Sequence, residues 1–276
     1  MPTINISEIK SIDKTDLYIL LSHYLKMPYH KIITEKITEV DAGFMHMVDE
    51  RRAGVPVAKI IGSKEFYGLD FITNQYTLDP RPETELMLDY LTQHVNRNEN
   101  IAMLDLGCGT GCIGITALTL YKESTCDFVD ICDKALATTE ANCRAHKAQD
   151  RAKFIQSDWF DKVPHNKEYD VILCNPPYIR TDYDLDRDTL HDPHLALFGG
   201  EDGLACYRKI VPHLRRHCKD IALLEIGYDQ GQSVVELVRN SYGGWESVEV
   251  RKDYGGHDRL VICKKRQPNT ELQPSL

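Results

Sequence analysis

The sequence predicts an α/β protein: a doubly wound parallel sheet preceded by a small helical unit. Three observations carry this. From about residue 100, short apolar runs alternate with helical patterns, the order that βαβ units produce. The first of those runs, residues 101–106, ends in Gly107-Cys108-Gly109-Thr110-Gly111, a glycine turn that opens a helix. Residues up to about 60 instead carry helical spacing.

The elements follow in order. Asp16-Leu17-Tyr18-Ile19-Leu20-Leu21-Ser22-His23-Tyr24-Leu25 places apolar side chains at helical intervals. Asp41 can cap a second helix running through Phe44, Met45, Met47 and Val48 towards Arg52, and Gly54 and Pro56 break it. Residues 1–62 therefore read as a small helical domain. Phe66, Tyr67, Leu69, Phe71, Ile72, Tyr76 and Leu78, interrupted by Gly68 and Thr73-Asn74-Gln75, predict a β-hairpin linker over residues 63–80. The larger domain spans residues 81–266. Within it, strands are expected at 101–106, 126–129, 154–155, 171–174, 221–225, 248–250 and 260–263. Helices are expected at 111–120, 134–146 and 230–239. Residues 267–276 are polar with two prolines and predict a disordered tail.

Composition narrows the function classes. The chain has 276 residues, 42% of them hydrophobic, enough for one large α/β domain and a small accessory one. No run of about 18 apolar residues exists, and residues 1–10 lack a basic start followed by an apolar block, so neither a membrane span nor a signal peptide is expected. Lysine and arginine total 33 against 42 acidic residues, a net charge of −9, which repels phosphate backbones at long range. Nine cysteines occur without a C-x-x-C pair, so zinc spacing is absent and no metal is expected. Reduced thiols in the cytoplasm are the expectation.

The glycine turn is a candidate ligand loop. Glycines serve where the backbone turns tightly and where a ligand approaches the main chain, and the N–H groups of the following helix favour a carboxylate or phosphate. A purely structural turn or a dinucleotide site would look similar. Asp130 ends the next strand, where a carboxylate can accept hydrogen bonds from both hydroxyls of a ribose. After the third strand, Gln156-Ser157-Asp158-Trp159-Phe160 offers a polar side chain to an adenine amino group and an aromatic for the ring face.

The sharpest signal is Asn175-Pro176-Pro177-Tyr178 after the fourth strand. Two prolines fix the backbone and remove two N–H donors, so nearby carbonyls can face a substrate. Asn175 adds a side-chain acceptor and Tyr178 a flat face. Together they suit an NH2 group on a planar π-system. This loop falls at the carboxyl end of the sheet beside the glycine turn, where ligands bind in such folds.

Asn-Pro-Pro-Tyr is known from methyltransferases of exocyclic adenine nitrogen and of glutamine amides. Pro56-Val57-Ala58-Lys59-Ile60-Ile61-Gly62, Glu65-Phe66-Tyr67-Gly68-Leu69 and Pro80-Arg81-Pro82-Glu83-Thr84-Glu85 closely resemble the release-factor glutamine methyltransferase family. Asp192-Pro193, Ala196-Leu197-Phe198-Gly199-Gly200, Asp202-Gly203-Leu204, Leu224-Glu225-Ile226-Gly227 and Asp253-Tyr254-Gly255 with Arg259 continue the resemblance to about Lys264. It implies a Rossmann-like, seven-stranded S-adenosylmethionine-dependent methyltransferase domain, an N-terminal substrate-recognition domain and a hairpin linker. It implies S-adenosyl-L-methionine as cofactor, S-adenosyl-L-homocysteine as product, and the glutamine of the Gly-Gly-Gln motif of peptide-chain release factors as substrate. On this resemblance Gly107, Cys108, Gly109, Thr110, Gly111, Asp130, Asp158, Trp159 and Asn175 bind the cofactor. Asn175, Pro176, Pro177, Tyr178, Arg81 and Glu83 bind the substrate, with Asn175, Pro176 and Tyr178 catalytic. The chain departs from the family at Asp79, where an aliphatic residue is frequent, and at Asp192, where glutamate is frequent.

Chemistry by positioning is expected: nitrogen in line with methyl carbon and sulfur, its hydrogens held by Asn175 and the Pro176 carbonyl. No histidine is nominated. A monomer is expected, with neither membrane nor direct nucleic-acid contact. The chief rival is an adenine-N6 methyltransferase of DNA or RNA, in which the same loop would hold a flipped adenine. The −9 charge and the lack of a DNA-recognition domain oppose it. An NAD-dependent dehydrogenase leaves 175–178 without a role. A catalytically silent binding module has no need of an intact glycine turn.

Overall fold

The computed structural model describes residues 4–10, 12–35, 39–241 and 244–265; the tail at 267–276 lies outside the described residues. Helices α1 (Lys14–Leu25), α2 (Tyr29–Thr34), α3 (Ala42–Ala53) and α4 (Val57–Ile61) are joined by a two-stranded sheet of β1 (Ile4–Asn5) and β2 (Glu39–Val40). Asp41 caps α3 by accepting from the N–H groups of Gly43 and Phe44, as its sequence position predicts, and Gly54 ends the helix at φ 101°. Leu17, Leu20, Leu21, Ile32, Val40, Phe44 and Val48 form the core of this unit. Each such burial contributes roughly 1.5–3 kcal/mol.

The hairpin is shorter than the aromatic pattern predicts. It comprises β3 (Ser63–Phe66) and β4 (Leu69–Ile72), turning at Tyr67-Gly68. Beyond Ile72 the chain abandons strand pairing because its carbonyls serve a cation instead. Lys59 Nζ donates to the carbonyls of Asn74 at 2.8 Å and Thr77 at 2.5 Å and to Thr73 Oγ1 at 3.2 Å. The same ammonium lies 2.8 Å from Asp79 Oδ1 and 3.1 Å from Asp192 Oδ1, and Arg81 reaches Asp192 Oδ2 at 2.6 Å. The two residues that depart from the family pattern thus share one buried partner.

The large sheet runs β7 (Ala152–Gln156), β6 (Thr125–Asp130), β5 (Ala102–Leu106), β8 (Tyr169–Cys174), β9 (Cys218–Glu225), β11 (Asp258–Lys265) and β10 (Trp245–Lys252). The first five are parallel. The sheet has the seven strands expected, and at one edge β11 is antiparallel to both β9 and β10. Residues 253–257 joining those two strands are too few for a crossover, so only a hairpin is possible.

Helices cover both faces. Met103, Phe128, Val171 and Leu173 pack with α5 (Glu85–His94), α6 (Cys112–Leu120) and α7 (Asp133–Ala145). Leu104, Leu106, Ile172 and Leu224 pack with α9 (Ala205–His217) and α10 (Gly231–Asn240). Along β5 and β8 successive residues join opposite clusters, the period-two alternation of a strand buried on both sides. The short α8 (His194–Leu197) follows the loop after β8. Helices α5 and α9 are absent from the sequence reading. In α9 the interior Pro212 masks an otherwise apolar stripe of Tyr207, Ile210, Val211 and Leu214.

Order reverses between β5 and β8, with β6 on one side and β9 on the other, so the loops after β5 and β8 open a crevice at the sheet's carboxyl edge. All nine cysteines are free thiols. No helix among the described residues is long and apolar enough to cross a membrane.

Candidate active site

The first wall of the crevice is the glycine turn. Gly107 and Cys108 both donate to the Val129 carbonyl, at 2.8 and 2.9 Å, so the chain reverses within two residues of the strand end. Gly107 takes φ 79°, and a Cβ there would come within 3.2 Å of the Trp159 ring. Gly111, at φ 77°, is instead a packing glycine: a Cβ would meet Thr139 at 2.6 Å. Cys108 is buried beside the Thr139 hydroxyl at 3.3 Å, and burial pushes its thiol far up from its ordinary range. Beneath the turn, burial pushes the Asp105 carboxyl up to about 7, against the hydrogen bond it accepts from Gly114 N–H.

Asp130 closes the second wall. Its Oδ2 accepts from Gly109 N–H at 2.9 Å and its Oδ1 from Cys132 N–H at 2.9 Å. Each oxygen keeps a further lone pair. Burial raises this carboxyl above its ordinary range, opposed by those backbone donors. Asp158 and Trp159 follow β7. Asp158 Oδ2 pairs with Lys209 Nζ at 2.8 Å, and Trp159 takes φ 49°, a left-handed conformation rarely adopted by bulky side chains.

Asn175 leaves the end of β8 into a hydrogen-bonded chain. Its Nδ2 donates to Thr84 Oγ1 at 3.1 Å, and Thr84 donates to Glu225 Oε2 at 2.6 Å. Tyr178 donates to Glu225 Oε1 at 3.2 Å, and Arg259, braced by Asp253 at 3.2 Å, stands 3.5 Å from the Tyr178 hydroxyl. Burial pushes Glu225 up to about 7, while the hydroxyl donors and Arg259 pull the other way. Burial also carries the Tyr178 phenol well above its usual value.

These walls enclose a cavity of about 470 Å³, within the range of small-molecule and cofactor sites. Gly107, Cys108, Gly109, Thr110, Asp130, Asp158, Trp159, Asn175, Pro177 and Arg81 line it. Gly111, Pro176, Tyr178 and Glu83 do not: Pro176 is buried, Tyr178 is half-buried on Glu225, and Glu83 is exposed. Lys209 also lines the cavity, a residue that the sequence reading does not single out. Thr84, Glu225 and Arg259 stand in quoted motifs, but nothing in their spacing assigns them to one network.

The donor set fits an adenosyl cofactor. A carboxylate with spare acceptor capacity ends the second strand, and open space surrounds Gly109, where an added Cβ would meet nothing within 4 Å. A sheet of five parallel strands with an antiparallel edge pair, this cavity and an Asn-Pro-Pro-Tyr loop define a methyltransferase. The family model for the methyltransferase small domain matches residues 79–192. The ribosomal protein L11 methylase of Lactobacillus delbrueckii subsp. bulgaricus shares the fold, with a TM-score of 0.51 at 16% identity over 74% of this chain and 89% of that one. The release factor glutamine methyltransferase of Agrobacterium fabrum is 35% identical over 254 residues, covering 89% of this chain and 85% of that protein. That of Aquifex aeolicus is 31% identical, with 94% of each chain covered. The chain belongs to the release factor glutamine methyltransferase family.

Proposed function

We propose that the chain moves a methyl group from S-adenosyl-L-methionine to the side-chain amide nitrogen (N5) of the glutamine in the Gly-Gly-Gln motif of peptide-chain release factors. The observation that carries this is the Asn175 amide. Its NH2 end is committed to Thr84, which leaves Oδ1 as an acceptor at a cavity that also holds Asp130 and the glycine turn. An acceptor fixed in that way suits a substrate NH2.

S-adenosylmethionine, when bound, supplies a methyl group on a positively charged sulfur. The chain's own residues do the rest. Asp130 takes the ribose hydroxyls, Gly107 to Gly111 accommodate the remainder of the cofactor, and Asp158 and Trp159 hold its base. Asn175 Oδ1 and the Pro176 carbonyl each accept one amide hydrogen, which turns the nitrogen lone pair out of conjugation and stabilises positive charge as it develops. Tyr178 and Pro177 shape the slot, and Arg81 and Glu83 meet the surrounding peptide. The helical unit at residues 1–62 grips the protein substrate, linked through residues 63–80 to a catalytic domain at 81–266. The enzyme works as a monomer in the cytoplasm, on protein rather than nucleic acid.

The direct test incubates the enzyme with methyl-labelled cofactor and either purified release factor or DNA. Label is expected on release-factor glutamine; label on adenine instead would replace this reading with its rival. A second expectation concerns the ribose contact. Asp130→Ala should weaken cofactor binding by about 2–4 kcal/mol, the cost of two charge-assisted hydrogen bonds. Calorimetry on the folded variant checks it, and unchanged affinity removes Asp130 from the site.

A further inference from the structure

The four residues 175–178 are held from behind by Glu225, which lies outside the cavity, and by Thr84 at its edge. Thr84 sits in the single turn before α5 and Glu225 at the end of β9, and both are 2% exposed. With Asn175 at the end of β8, three separate elements converge on one chain of hydrogen bonds. Its direction follows from counting protons. A threonine hydroxyl has one hydrogen, and an ionised carboxylate accepts only. While Glu225 is ionised, as at pH 8, the 2.6 Å contact to its Oε2 consumes the Thr84 proton, so Thr84 can only accept from Asn175. Were the amide flipped, its Oδ1 would face the Thr84 lone pairs and one hydrogen bond would be lost. The other carboxylate oxygen of Glu225 receives the Tyr178 hydroxyl. Arg259 stands near as the balancing cation, while the like charge of Glu83 acts weakly against it.

We propose that Glu225, acting through Thr84, fixes which end of the Asn175 amide faces the cavity while anchoring Tyr178. One buried carboxylate then positions both ends of the four-residue loop. The proposal rests on the reading of that loop as the amide-binding site. Glu225 and Thr84 are positioning residues: a misdirected acceptor costs rate even when cofactor and substrate still bind.

The test is single-turnover methylation of release factor at pH 8 under saturating cofactor, with cofactor affinity measured alongside. Thr84→Val keeps the shape but cannot relay, and should slow transfer by about 10–100-fold with cofactor affinity unchanged. Thr84→Ser should recover most of the rate. Glu225→Gln, whose amide can donate to Thr84 and reverse the relay, should be slow as well. In the Asn175→Ala background Thr84→Val should cause no further loss, because a residue acting through Asn175 has nothing left to act on. Further loss by the same factor in that background would overturn the proposal. So would full-rate turnover by Thr84→Val or Glu225→Gln beside an impaired Asn175→Ala, or a fall in cofactor affinity that matches the fall in rate. Full-rate turnover by Asn175→Ala itself would instead sink the reading of the loop and take the proposal with it.

Discussion

Replacing Lys59 by methionine should destabilise the protein by about 3–5 kcal/mol, the usual cost of removing one partner from a buried ion cluster. The side chains of Lys59, Asp79 and Asp192 are 8%, 8% and 1% exposed. One ammonium serves two carboxylates and accepting oxygens from Thr73, Asn74 and Thr77. Methionine fills similar volume but, among the described residues, leaves Asp79 without a counter-charge and Asp192 with Arg81 alone. Burial already raises Asp192 above the ordinary carboxylate range, with Lys59 and Arg81 opposing and Asp79 adding to the rise. Without the lysine the Asp192 carboxyl should titrate higher still. The sign follows: a carboxyl with a raised folded pKa favours the folded state while protonated, and that contribution is lost as pH rises through its pKa. The deficit of Lys59→Met should therefore be larger at pH 8 than at pH 5. Denaturant unfolding at the two pH values measures it. A deficit below about 1 kcal/mol, or one equal at both pH values, would reduce Lys59 to packing. Adding Asp79→Leu, the aliphatic type frequent in the family, should recover part of the loss at pH 8.

That cluster marks the boundary of what the sequence makes legible. Asp79 and Asp192 stand out as departures from a pattern, but their common partner does not, because Lys59 lies twenty residues before one and over a hundred before the other. Only the folded chain brings them together. Local signals read well. Asp41 caps α3 through the short-range geometry that its side chain allows. The glycine turn and Asn175-Pro176-Pro177-Tyr178 both fall at strand ends, because strand periodicity and a following breaker suffice to place them. Elements whose signal is mixed are missed. The stripe of α9 is interrupted by Pro212, and α5 begins at Glu85, directly after Pro80-Arg81-Pro82-Glu83, where two prolines argue for a loop. The antiparallel edge pair is not marked in the strands' own residues; only the short connection at 253–257 carries it, because a strand's direction is set by its connection. In the site, single residues such as Asp130 are legible from their position after a strand. The roles of Thr84 and Glu225 exist only as contacts, across 141 residues of chain.

Asn175→Ala should leave the fold intact and lower methyl transfer by about 10²–10³. The residue begins a loop beyond the end of β8, and among the described residues its side chain hydrogen-bonds to Thr84 alone. Its removal therefore costs the fold little. The chemistry is more exposed to the loss. An amide nitrogen is a weak nucleophile because its lone pair is delocalised into the carbonyl. Capturing both hydrogens of the NH2 group turns that lone pair towards the methyl group. With the Pro176 carbonyl as sole acceptor, the substrate amide is free to rotate and returns to its planar, unreactive form. Asn175→Asp separates the two parts of this argument. It retains an acceptor but cannot donate to Thr84, and it sets a negative charge beside the positive sulfur of the cofactor. Cofactor affinity in that variant should be maintained or increased while transfer remains slow. Single-turnover methylation of release factor under saturating cofactor, with mass spectrometry locating the methyl group, measures both variants. Turnover by Asn175→Ala within about threefold of the unmodified enzyme would defeat the mechanism, since an acceptor of this kind cannot be worth so little. A methyl group found away from glutamine would defeat the substrate assignment even in an active enzyme.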